Sequence, residues 1–399
     1  MYTPIPRTAP GMVTGFRDPS QMASGRVIAD VSNRMLFWEP NATPLCTLTA
    51  AIRAKRKVHQ YRYDWFEQEP YPRESTVSAA SVAGSATVVV SAGQGSRIAK
   101  HYVLKNLRTM EEILVTGIST DTLTVDRAIG GVNSADMAAG DTLLWLFTAY
   151  EDGSGAGTMK TVVDAGIYNF TQIIRTPFGF TGRQENTDYY AGSDVANTRR
   201  AMSIEHKKHI EFMMFFGQRH TRTGANGFVQ SFSGGLEHFI QSNIWDLGGN
   251  PPTEDAAIEV MEYHMKYGEG GNLSRGGDAT KMLFASPRWM TYINSWVKDR
   301  VQYRPVDKRI GLVAGYFDTA HGTIALMKAP MFVGALSEFA FLVDPNHIRY
   351  VYHQGRDTKL IDNIQANDVD GSEEEYRSDV GVEVGVEGAH AIWRGLPPS

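Results

Sequence analysis

Residues 205–209 read Glu-His-Lys-Lys-His and set His206 and His209 three apart on a helical pattern. Two imidazoles so placed could share a metal ion if a carboxylate joined them. The order used by zinc proteases is not there, because no histidine pair four apart has a glutamate beside its first member. The two rings are therefore expected to be solvated or to lie at an interface. Residues 153–161, GSGAGTMKT, have the glycine content of a phosphate loop, but Met159 rather than glycine precedes Lys160. No apolar strand leads in with a long helix leading out, so a flexible hinge is the expectation. Gly153, Ser154 and Gly155 belong to that same loop and lack the strand-to-helix setting of a serine nucleophile. No catalytic residue, cofactor or metal ligand emerges, and the chain reads as a non-enzyme.

The charged and aromatic residues point instead to surfaces that hold partners. Arg53, Lys55, Arg56 and Lys57 form a basic run, while residues 356–399 carry four Lys or Arg against ten Asp or Glu, with Glu373, Glu374 and Glu375 consecutive. Each patch alone fits a solvated face. The sharper expectation is that the two meet across subunits and set register by charge complementarity. Trp38, Tyr61, Tyr63, Trp65, Phe66 and Tyr71 are scattered among charges rather than set at a core-forming period. Such aromatics need a partner surface. Trp38, Trp65 and Phe66 are the expected anchors, with Tyr63 and Arg175 in the same interface set.

Composition narrows the class. At 399 residues, 42% apolar and 21% charged, the chain is long and apolar enough for a sizeable core, and its net charge of −5 gives no sign of a dedicated nucleic-acid binder. Cys46 is the only cysteine, which excludes an intramolecular disulfide and a thiolate metal cluster and suits a reducing cytosol. The amino terminus lacks a basic region followed by an apolar run, and no stretch approaches 18 consecutive apolar residues, so neither export nor a membrane span is expected.

The elements that must position these residues follow from periodicity. Residues 1–55, rich in proline and polar turns, read as an extended arm with little regular structure before residue 33. Residues 58–65 read as one strand, with Val58, Gln60, Arg62 and Asp64 on one face and His59, Tyr61, Tyr63 and Trp65 on the other. Short Val/Thr/Ile runs over 76–148 suggest a small β-barrel or sandwich inserted at the tip of a two-stranded excursion. Residues 169–182 are extended and feed a long helix that Ser193 or Asp194 caps and that ends near residue 217. Met202, Ile210, Met213 and Phe215 or Phe216 give its apolar stripe; Arg199, Arg200, Lys207, Lys208 and Glu211 give a solvated flank. Residues 230–340 alternate helices and apolar strands: Thr253 opens a helix that Gly268 ends, and Ser286-Pro287 opens another. Val380, Val382, Val384 and Val386 alternate with Gly and Glu as a half-buried strand.

The order arm, extended loop, long helix, α/β region resembles the major capsid proteins of tailed bacteriophages with the Hong Kong 97-type fold. It is similar in particular to the subfamily with an NYTQIF-like motif before the spine helix, matched here by Asn169, Phe170, Thr171, Gln172, Ile173 and Ile174, then GFTG. Residues 316–332, 341–350 and 384–396 agree with later strands of that family. The resemblance implies an α+β chain with six parts. They are an N-terminal arm (1–55), an extended-loop ribbon (56–75 and 149–185), an inserted β-barrel-like domain (76–148), a spine helix with peripheral domain (186–229), an axial α/β domain (230–340) and return strands (341–399). It further implies a virion subunit assembled in host cytoplasm into hexamers and pentamers of an icosahedral shell around packaged double-stranded DNA, touched non-specifically. Implied partners are copies of itself, a portal, and scaffolding, protease or decoration proteins; no charged coiled leader is seen, so any scaffolding function is expected on another polypeptide or to be absent. Competing readings are a tail-tube or decoration protein and a cytosolic metal hydrolase using His206 and His209.

Overall fold

The computed structural model describes residues 43–52, 54–155, 157, 160–189, 193–267, 280–296, 315–319 and 321–397. Trp38 with most of the arm, Arg53 and Gly268 lie outside them. The chain is α+β and divides into two compact units, residues 64–168 and residues 1–63 with 169–399.

Pro44 opens α1 (Pro44–Ala51) at a position where its missing N–H is no loss. β1 (Lys55–Val58) and β2 (Arg62–Glu67) follow. The single strand expected over 58–65 is broken at His59–Tyr61, because β1 pairs in parallel with residues 350–353 whereas β2 belongs to a separate ribbon with residues 165–170. Within β2 the alternation holds: Tyr63 and Trp65 are buried, while Arg62, Asp64 and Phe66 are exposed.

The unit of residues 64–168 is built on β3 (Glu74–Thr76), β4 (Thr87–Val89), β5 (Tyr102–Asn106), β6 (Glu112–Ser119), β7 (Thr122–Asp126) and β8 (Thr142–Thr148). They lie in the order β3-β8-β5-β6-β7-β4. Val77 stands opposite Val90, and the N–H groups of Ser78 and Ser91 donate to the carbonyls of Val89 and Thr76, so the two ends of that order meet. Period-two patterning fills the inside: Leu104, Ile113, Val115, Leu123, Val125 and Leu143 are all buried in one cluster.

β9 (Ala165–Phe170) pairs with β2 and leads into β10 (Gln172–Thr181) and the single turn α2 (Gly182–Glu185). The long helix α3 (Asp194–Phe216) is capped by Ser193, whose Oγ accepts from Ala196 N at 3.4 Å. Next come β11 (His220–Thr223), β12 (Val229–Phe232), α4 (Leu236–Phe239), β13 (Ile244–Asp246) and α5 (Glu254–His264). Thr253 caps α5 as its sequence says, but the helix stops at His264, short of the end expected at Gly268. β14 (Thr280–Ala285), α6 (Pro287–Trp296), β15 (Gly315–Thr319), β16 (Gly322–Lys328), β17 (Ala340–Val343), β18 (Ile348–His353), β19 (Lys359–Ile361), β20 (Gly371–Val384) and β21 (Ala391–Arg394) complete the described strands and helices.

Two sheets organise this larger unit. In the sheet β13-β21-β17-β14-β16-β15 the central strands are apolar on both faces. Phe284, Phe341, Val343 and Met327 join the cluster of Phe215 on α3; Leu283, Ala285, Leu342 and Leu326 join that of Met261 on α5 and Trp289 on α6. Double burial is why these strands read as unbroken apolar runs. The other sheet runs β1-β18-β20-β10, with β19 also on β20. Here the half-buried strand expected at 380–386 is corrected: Val380 to Val384 are buried on both faces, Gly381 and Glu383 included, because Tyr63, Phe170 and Ser233 close over Gly381 and Glu383 is ion-paired. The strand ends at Val384, and Val386 turns away with φ +52°.

Candidate functional site

The motif at 169–174 is a crossing point of backbones. Buried Asn169 donates from Nδ2 to Val382 O at 2.7 Å and Gly234 O at 2.9 Å, and its Oδ1 accepts from Gly234 N and Phe170 N, each at 2.8 Å. Only an amide side chain both donates and accepts in this way. Thr171 N donates to Tyr61 O at 2.7 Å, Ser231 Oγ donates to Thr171 O at 2.6 Å, and Gln172 Oε1 accepts from Ser233 N at 3.2 Å. The motif's letters thus bind β10, β12 and β20 to one point.

Helix α3 is held by polar groups that the sequence pattern puts on a solvated flank or at an interface. His206 is fully buried, with Nδ1 2.9 Å from Thr176 Oγ1 on β10 and Nε2 2.6 Å from Ser378 Oγ on β20. Burial, reinforced by His209, depresses its pKa to about 4, so it is a neutral ring with both nitrogens engaged. His209 is partly exposed and lies 3.6 Å from Glu205. The pair therefore does not converge on a common ligand, and among the described residues no group of three or more His, Cys, Asp or Glu could hold a metal ion.

Glu211, expected on the solvated flank beside Lys207, is also buried. Its Oε1 accepts from Leu45 N and its Oε2 from Cys46 N, both at 2.7 Å. Thr43 makes no side-chain cap for α1, so Glu211 serves the orphan amides of that helix from 165 residues away. Burial raises its carboxyl to about 7, against the pull of the Cys46 and Leu45 hydrogen bonds. Arg199, near the start of α3, donates from Nε to Glu374 Oε2 at 2.7 Å and pairs a second time through Nη2.

The expected interface set divides. Lys55 reaches Asp357 at 3.2 Å and Arg56 reaches Glu383 at 2.5 Å, both in the same chain. Arg349 joins Arg56 on Glu383. Arg175 pairs with Glu375 at 2.6 Å, where Arg377 also binds. These residues, with Glu374, have intramolecular partners. Tyr63 and Trp65 are 4% and 8% exposed within their own chain, Tyr63 Oη donating to Val382 O and Trp65 Nε1 to Glu67 Oε1, each at 2.8 Å. Phe66 is 76% exposed. Lys57 and Glu373 are exposed, and their charged groups make no hydrogen bond or ion pair among the described residues.

Residues 12–397 match the family described as SU10 major capsid protein. The chain belongs to that family. A major capsid protein of Pseudomonas phage PaMx41 is 25% identical over 338 residues, 80% of this chain and 78% of that protein. Among solved structures, the chain is similar to one from Microbacterium phage Oxtober96, with 8% identity, 93% of this chain and 96% of that chain covered, and a TM-score of 0.47. The capsid of a native GTA particle gives 6% identity over the same shares and a TM-score of 0.49.

For this capsid-family chain, the surface left open is as informative as the pairs that are closed. Phe66, Tyr71, Ile173, Phe228, Val229 and Tyr263 remain exposed after the chain has folded. Sequence reasoning missed Lys281, a fully buried lysine on β14 whose Nζ donates to His264 O at 2.6 Å and Ala389 O at 2.7 Å. Burial lowers its amine to about 8. The only signal was a lysine opening the apolar run KMLFA. Among the described residues no helix is long and apolar enough to cross a membrane.

Proposed function

We propose that this major capsid protein builds the icosahedral head shell of a tailed phage around double-stranded DNA, as hexamers and pentamers of itself assembled in host cytoplasm. The observation that carries the reading is the family match over 12–397. The arrangement of parts supports it. A 23-residue helix, α3, is fixed to the strand pair β10–β20, and residues 169–174 lead into β10, which suits the spine helix and preceding motif of the proposed fold. Exposed aromatic and aliphatic side chains supply apolar area that a solitary protomer leaves in water. Portal, scaffolding, protease and decoration proteins are further proposed partners.

Negative-stain electron microscopy of the purified chain tests the reading. Closed shells or rings of five and six are expected. Tubes, or a monomer that stays monodisperse at high concentration, would overturn it.

A further inference from the structure

The unit of residues 64–168 carries a groove of about 680 Å³, a size that holds ligands in other proteins. Its walls are aromatic and cationic. Tyr71 and Phe147 are 56% and 58% exposed and flank the more buried Trp145. Arg73, Arg97 and Lys160 face a single lining carboxylate, Glu69. Lys160 Nζ donates to Ser96 O at 2.5 Å, whereas the guanidinium groups of Arg73 and Arg97 make no hydrogen bond or ion pair among the described residues. Three cations against one anion leave the groove positive on a chain whose net charge is −5.

The groove also follows an open strand edge. β3 pairs with β8 only at Thr142–Leu144, and Trp145 N to Arg73 O, at 2.7 Å, extends that side by one residue. Beyond it, Leu146 is the extra residue of a bulge, Phe147 and Thr148 are paired only on the β5 side among the described residues, and all three line the groove. An unpaired edge is a template for one more strand.

We propose that this groove docks an extended acidic segment of a separate polypeptide, which adds as a strand along Leu146–Thr148 while its carboxylates meet Arg73 and Arg97. The strand edge selects a peptide over a nucleic acid, since only a peptide returns alternating N–H and C=O groups. Charge selects an acidic one. Tyr71 and Phe147 give its apolar side chains a surface. A separate polypeptide is chosen over a second copy because the chain's own acidic run at 362–373 is closed on itself by Ile364 N to Glu373 O and Val369 N to Ala366 O, and Glu374 and Glu375 are already paired.

Fluorescence anisotropy of a labelled octapeptide alternating Glu with Val, titrated with the full chain, tests this. Saturable binding is expected, weakening with salt and falling about tenfold or more in Arg73→Glu/Arg97→Glu. N-methylation of alternate peptide amides should abolish it, because it removes the strand's donors. Phe147→Ala should weaken it at constant charge. Equal binding of the Gln-for-Glu peptide, unchanged binding by the double variant, or displacement of the peptide by oligo-dT would overturn the proposal. So would a shift in the double variant's oligomeric state without peptide, which would assign the groove to a second copy.

Discussion

Glu211 spends its two carboxylate oxygens on a helix other than its own. Replacing it with Gln puts an amide donor against a backbone donor, either Leu45 N or Cys46 N, and leaves that N–H without an acceptor in a buried site. The cost should be about 1–3 kcal/mol, read as faster hydrogen exchange at those two amides while α3 itself stays protected. The same groups set the acid response. Because burial raises Glu211 from 4.5 to about 7, the folded chain holds a proton there that the unfolded chain has released, so this carboxyl favours the fold as pH drops through that window. His206, His264 and His390 act oppositely: burial lowers each from 6.5 to about 4, and the unfolded chain takes up protons that the folded chain refuses. Their contribution is complete above 6.5 and is lost as pH falls towards 4. With four histidines lowered by burial, His238 included, against two carboxyls raised by it, Glu211 and Glu237, urea midpoints should fall between pH 6.5 and 4. Midpoints that hold level or rise would refute this.

At the scale of elements, β2 separates two roles that its sequence runs together. Trp65 and Phe66 are neighbours, yet alternation buries the first and exposes the second. Trp65→Ala should therefore destabilise the protomer, by about 3–5 kcal/mol for a buried tryptophan, seen as a lower melting temperature before assembly. Phe66→Glu should leave that melting temperature unchanged and reduce shell formation measured by light scattering. The reverse pattern would place Trp65, not Phe66, at the contact. α3 shows a related division. Its helical pattern is local, but its position depends on His206 bridging β10 and β20 and on Arg199 gripping Glu374, contacts whose partners lie 30 to 175 residues away.

For the whole molecule, the proposed attraction between basic and acidic surfaces of neighbouring subunits now rests on few charges. Most of the expected ones are internally paired, and reversing Arg56 would strand Glu383 rather than probe assembly. Lys57 and Glu373 are the useful pair. Lys57→Glu and Glu373→Lys should each slow assembly, with an effect that shrinks at high salt, and the double reversal should restore the rate. Each contact is worth no more than about 1 kcal/mol, but a shell repeats it. Two single variants that assemble like the parent at low salt would remove these residues from the interface.

Much of this protein is written locally. Ser193 capping α3, Thr253 capping α5, the inward residues of β6 and β7 and the apolar runs of β14 and β17 all follow from short-range rules, because caps and periodicities involve residues within a turn or two of one another. The family match agrees with the capsid family that the order of parts resembles. What local pattern could not decide was the fate of polar side chains. Glu211, His206, Glu383 and Lys281 look like surface residues because their partners are distant in sequence, and only the folded chain brings a helix amide, a hydroxyl, a guanidinium or a carbonyl to each. Tertiary structure also decided which charges and aromatics stay open to neighbours, since burial depends on what packs above a residue and not on the residue's own period.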